Sequence, residues 1–176
     1  WIVAHSVTTH PTNKFNLLVA IDGNWAFIQV PLDVTTFDNL QVLVYKREGA
    51  TWIHHQTISG TGNTGDKKSF LGDLFGSPMA IDGRNAIIGA PGDAEAQPGG
   101  YNLPGAAYFL RLNNDDQWII AQKIFSDQPS LLFGFGNCIK GNTVIVADTG
   151  RTQGTNQFQG ALRVYERRGS VWEPRE

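Results

Sequence analysis

Short apolar runs alternate with glycine-marked turns along this chain, and no apolar stripe of helical period is sustained anywhere. Ala26-Phe27-Ile28, Ala86-Ile87-Ile88 and Val144-Ile145-Val146 each follow a tight polar turn. These runs are too short and too rich in branched residues for helices, and turn residues bound them, so they predict buried strands. The turns read Asp22-Gly23, Asp82-Gly83 and Lys140-Gly141. Glycine supplies the positive φ of a two-residue hairpin, so a first and a second strand pair tightly around each turn. A third strand follows a variable loop, at Leu40 to Tyr45, Gly105 to Leu110 and Gly160 to Tyr165. Beyond a polar tip, Trp52, Trp118 or Trp172 opens a fourth strand. Without capped helical periodicity, essentially no long helix is expected.

The same residues recur at a fixed spacing. Phe15-x5-Ile21-Asp22-Gly23 returns as Phe75-Gly76-x4-Ile81-Asp82-Gly83 and as Phe133-Gly134-x4-Ile139-Lys140-Gly141, the copies starting 60 and 58 residues apart. A period of that size marks stacked supersecondary units, each unable to bury its own apolar face alone. The chain opens on Trp1-Ile2-Val3-Ala4-His5-Ser6-Val7, which matches Trp118-Ile119-Ile120-Ala121-Gln122-Lys123-Ile124. Four antiparallel strands per repeat of this length is the pattern of a β-propeller blade. The expectation is an all-β protein of three four-stranded blades, over 15–60, 75–126 and 133–176. Residues 1–7 then supply the outer strand of a preceding or split blade.

At this point the residues match a known family. Phe75-Gly76 followed by Gly89-Ala90-Pro91 resembles the FG-GAP repeat, the blade of integrin-type β-propellers. The second unit resembles the bacterial-style version most closely. The third keeps Phe133-Gly134 and Gly160-Ala161 but has Ala147-Asp148-Thr149 in place of the GAP; the first has Phe15-Asn16 and Gln29-Val30-Pro31. The resemblance covers nearly the whole chain and is specific for fold. Such repeats occur in adhesion receptors, fungal lectins and modules beside secreted hydrolases, so it implies an extracellular or cell-surface protein without fixing its task. Integrin-type repeats often carry an Asp-x-Asp-x-Asp-Gly calcium loop between the first two strands. Here tight turns at Asp22, Asp82 and Lys140 leave no room for a cage of oxygens, so neither calcium nor any other cofactor is expected.

Composition narrows the field further. Net charge is −2 with no basic block, so nucleic acid finds no electrostatic footprint. No apolar run approaches the length of about eighteen residues that reads as a membrane span. The single Cys138 cannot form an intrachain disulfide, and its place in a first strand predicts a small buried hydrophobe. Residue 1 is Trp, which leads us to expect a processed or excised chain. Three blades do not close a ring, because propellers begin at about four. Either further blades of the same protein or self-association is therefore expected, as a ring from two arcs or as an open fibre.

No catalytic constellation stands out, and an enzyme is not expected. Gly60-Thr61-Gly62-Asn63-Thr64-Gly65 fits G-x-G-x-x-G, but no helix follows to hold a phosphate, so it reads as a linker between blades. His54 and His55 would point to opposite faces of an outer strand and cannot chelate together; both are expected to face solvent. A G-x-S-x-G turn is missing, and Asp115-Asp116 sits on a hairpin tip where turn formation explains it. The long loops joining second to third strands carry Phe37, Tyr101 and Phe158 among Gly, Asn and Gln, a composition suited to sugar faces or a protein partner. These rings otherwise tuck onto neighbouring blades. Trp25 aligns with Asn85 and Thr143, where no repeat-wide role calls for an aromatic; it either stacks on a ligand or packs locally. The leading expectation is non-catalytic recognition or adhesion towards a protein or glycan. The alternatives are a structural subunit of an extracellular fibre or sheath, and an accessory module of a secreted hydrolase.

Overall fold

The computed structural model describes residues 18–31, 40–60, 73–93, 95, 104–127 and 131–175. Strands β1 (Val19–Asp22), β2 (Trp25–Pro31), β3 (Leu40–Glu48) and β4 (Thr51–Ser59) form sheet I in that order. Sheet II consists of β5 (Met79–Asp82), β6 (Asn85–Ala90), β7 (Ala106–Leu112) and β8 (Trp118–Phe125). Sheet III consists of β9 (Phe133–Lys140), β10 (Thr143–Asp148), β11 (Ala161–Arg168) and β12 (Val171–Pro174). All pairings are antiparallel between sequence neighbours, and the described residues contain no helix. The expected all-β chain of three four-stranded sheets is therefore what forms. Trp1 to Val7 lie outside the described residues.

The first hairpin of each sheet has the expected two-residue loop, placed one residue further along the chain. Asp22 pairs with Trp25, Asp82 with Asn85 and Lys140 with Thr143, so the loops are Gly23-Asn24, Gly83-Arg84 and Gly141-Asn142. Each glycine has φ between 54° and 59°, as the first loop position of a type II′ turn requires. The freed Asp is put to use between sheets. Asp22 Oδ2 accepts the Gly83 amide at 2.7 Å, and Asp82 accepts the Gly141 amide at 2.5 Å and Lys140 Nζ at 2.7 Å.

Sheet II is the middle layer, and period-2 alternation divides its two faces. Ala86, Ile88, Tyr108 and Leu110 join Phe27, Val42 and Val44 of sheet I in one buried cluster. Ile87, Ala107 and Phe109 join Val144, Val146, Tyr165 and Trp172 of sheet III in the other. Rings lock both: Phe27 meets Trp118 edge-on at 5.1 Å, and Phe109 stacks on Trp172 at 5.1 Å. Truncating a buried aromatic of this kind costs about 3–5 kcal/mol. A polar clamp recurs at both junctions. Gln56 Oε1 accepts from Trp118 N and Gln56 Nε2 donates to Trp118 O, both at 2.9 Å. Gln122 engages Trp172 in the same way, at 2.9 and 3.0 Å.

Two expectations need correcting. Cys138 is exposed, not buried. It pairs with Ile145 on the face of sheet III turned away from sheet II, and no described element covers that face. His54 is exposed, but His55 is not a free surface histidine. A bulge where Val44 pairs with Gln56 and Tyr45 with His54 turns His55 towards sheet II. There its Nε2 lies 2.7 Å from the Asp116 carbonyl and its ring meets Trp25 at 5.2 Å.

Candidate functional site

The residues singled out for binding separate sharply. Trp25 is buried, edge-on to Trp118 at 5.8 Å with Lys46 Nζ 5.5 Å from its ring centroid. It packs locally, and its face is not open to a ligand. Lys46 also bridges to Asp116 at 2.6 Å, so the Asp115-Asp116 tip is a contact between sheets and not only a turn. Phe37 and Tyr101 lie outside the described residues. Phe158 remains: it is 64% exposed, at φ 55°, in the β10–β11 loop. That loop is tied at its base by the Gly160 amide to Arg151 O at 3.0 Å and across its middle by paired Gln153 and Asn156.

Buried carboxylates add a second feature. Asp93 is fully buried; Tyr108 OH donates to its Oδ2 at 2.9 Å and Lys123 Nζ lies 2.8 Å from the same oxygen. Lys123 also reaches Glu95 and lies 4.9 Å from the Tyr108 and Phe125 ring centroids. Burial alone would lower the Lys123 pKa, but its bonds to Asp93, Glu95 and Tyr108 outweigh that and raise it. Asp73 is also buried. Its Oδ1 accepts the Phe75 amide at 3.1 Å, while Oδ2 meets no hydrogen-bond partner. Burial pushes its pKa up, and the nearby Asp93 adds to the effect against the Phe75 amide.

A second cluster braces sheet III. Asp127 is gripped by Arg151 and, at 2.9 Å, by Arg163. The Arg151 bond leads in holding the Asp127 pKa down. Arg151 also lies 3.3 Å from the fully buried Asp148, which accepts from Ser126 Oγ at 2.8 Å. These groups border an open groove of about 1070 Å³, lined by Asp127, Arg151, Leu162, Arg163, Glu166 and Arg175 among others. The groove lies alongside β11 where it is not paired with β12. Strand β12 pairs with β11 only over Tyr165 to Arg168, whereas β8 covers Ala106 to Leu112 of β7. Ala161 to Arg163 therefore have no outer strand among the described residues.

Geometrically this end of sheet III has braced loops, the exposed ring of Phe158 and a strand-sized groove. Among the described residues, no group of three or more His, Cys, Asp or Glu is placed to hold a metal, and no helix is long and apolar enough to cross a membrane. One signal for the clamps was present in the sequence: Gln56 and Gln122 each stand four residues after a repeat tryptophan. The buried Asp73 left no such periodic mark, whereas Asp93 shares a Pro-x-Asp spacing with Pro31 and Asp33 of the first repeat. Compared with known protein families the chain matches no family model, and no curated protein matches it.

Proposed function

We propose that the three sheets are consecutive blades of an FG-GAP-like β-propeller acting outside the cell or at its surface. Its loop face recognises a protein or glycan ligand without catalysis. The observation that carries this reading is Phe158, a flat apolar ring held 64% exposed on a loop tied across its base and middle. An ordered exposed aromatic offers contact area at small entropic cost, and loops on a rigid scaffold are where binding residues concentrate. Asp93, Asp127 and Asp148 are engaged as ion-pair partners of Lys123, Arg151 and Arg163, which suits a binding face better than a proton-transfer site.

The test is adhesion of beads coated with the chain to glycan-coated and protein-coated surfaces. Phe158→Ala is expected to weaken retention about tenfold, the effect of losing one central aromatic contact. Retention unchanged in the variant, or none on either surface, would sink the recognition reading. A second reading, a structural subunit built by self-association, is favoured by a separate observation. Apolar residues stand exposed on the outward faces of both end sheets: Val19 at 68%, Ile21 at 67% and Leu162 at 71%.

A further inference from the structure

We infer that these two outward faces are made for each other. The free face of sheet III in one chain packs on the free face of sheet I in a second copy, and two chains close head to tail into a ring of six sheets. The inference rests on the propeller and self-association readings above, and it names the partner as a second copy.

Sheet II shows what each face does when it is covered. Its Ile81, Ile88 and Tyr108 pack in the cluster shared with sheet I. The positions matching these in sheet I are Ile21, Ile28 and Leu43, all on the side away from sheet II. Ala80, Ile87 and Phe109 pack in the cluster shared with sheet III, and their counterparts there are Cys138, Ile145 and Val164. Among the described residues, the stack thus presents on either side one half of a junction that it already builds twice internally. Burying such matched apolar faces is the main driving force for association.

The hairpin charges are compatible with the same arrangement. Around the inner hairpins the repeat position reads Asp22, Asp82, Lys140. At the internal junction of sheets II and III, Asp82 and Lys140 pair at 2.7 Å. Head-to-tail docking brings Lys140, whose side chain is 89% exposed, beside Asp22 of the second copy, again with opposite signs. Two sheet I faces meeting would set Asp22 against Asp22. At the outer edge, Trp118 and Trp172 have their backbone clamped by a glutamine of the preceding sheet, while the residue four after Trp172 is Glu176, outside the described residues.

The experiment uses the single native thiol as a probe. By analogy with Ala80 packed beside Ile139 at the internal junction, Cys138 of one copy should face Ile21 of the next. Ile21→Cys should form an intermolecular disulfide under mild oxidation, while Ile53→Cys, exposed on the outer strand, should not. Light scattering of the unmodified chain should give twice the 19.3 kDa of one copy, and Leu162→Asp should weaken that pairing about tenfold or more. A folded monomer without the crosslink would overturn the inference and assign the faces to other blades. An open ladder of multimers would overturn ring closure in favour of a fibre. Unchanged adhesion by Phe158→Ala bears on the recognition reading alone, so the two failures are distinguishable.

Discussion

The junction of sheets II and III and that of sheets I and II solve one packing problem with different chemistry. Between II and III, backbone meets backbone. A Cβ added at Gly89 would lie 2.2 Å from the Gly134 carbonyl, and one at Gly105 would lie 2.2 Å from the Phe133 carbonyl. Between I and II, Gln29 stands where Gly89 stands in the next repeat. Its Nε2 donates to Phe75 O at 2.9 Å and to Ser77 Oγ at 2.7 Å, and its stem lies against Gly76. The Phe-Gly turn of the following sheet is held either way. What the junction conserves is the position of that turn, and a small residue facing it is only one means of holding it.

The sharpest way to break the comparison is Gly105→Ala. Gly105 has φ 77°, which costs a side chain about 1–2 kcal/mol, and the overlap with Phe133 adds about 1–3 kcal/mol or more. A loss of about 4 kcal/mol in denaturant unfolding is expected, with the II–III packing failing first. Gln29→Ala should cost less, about 2 kcal/mol, because it strands the buried Phe75 carbonyl but forces no backbone apart. Equal losses for the two variants would mean that the junctions are not held in different ways.

Gln56→Ala and Gln122→Ala sharpen the comparison from the other side. Each removes the same pair of hydrogen bonds to a partly buried strand edge, so each should cost about 1–2 kcal/mol. Values differing by more than about 1 kcal/mol would show that the clamps are not equivalent. The smallest effect is a gain. Burial raises the Asp73 carboxyl above its usual 3.8, so the folded state favours its protonated form. Its favourable contribution is present below that value and is lost as pH rises through the raised pKa. Asp73→Asn keeps an acceptor for the Phe75 amide and removes the buried charge. It should raise the melting temperature at pH 7, with the difference from the native chain closing as pH falls below 3.8.

The fold was legible because each repeated residue stands at a contact that tolerates few alternatives. Phe133 is fully buried at the junction, Gly134 has backbone against it, and Trp118 and Trp172 fill the space between sheets. Such demands recur with every sheet, so they leave a period. What stayed hidden depends on a neighbour far away in sequence. Cys138 has the local pattern of a buried strand residue, yet its exposure is decided by whether another sheet lies on that face. His55 and Asp116 are 61 residues apart and meet only because two sheets stack. Trp25 looked unoccupied for the same reason: its partner Trp118 belongs to the next repeat. The candidate site was legible at Phe158, a ring in a polar loop, and not at Asp73, which occurs once, or at Asp93, whose burial depends on Tyr108 and Lys123 of later strands.

The hairpin carboxylates give the stack a sense of direction. Asp22 accepts from Gly83 and Asp82 from Gly141, the donor always in the following sheet and the acceptor in the preceding one. A unit joined by a directed bond has one kind of neighbour before it and another after it. Copying a unit such as sheet II within a gene lengthens the array without the invention of a new surface, because it carries both the accepting Asp82 and the donating Gly83. Sheet III, with Lys140 at the accepting position, carries only the donor half.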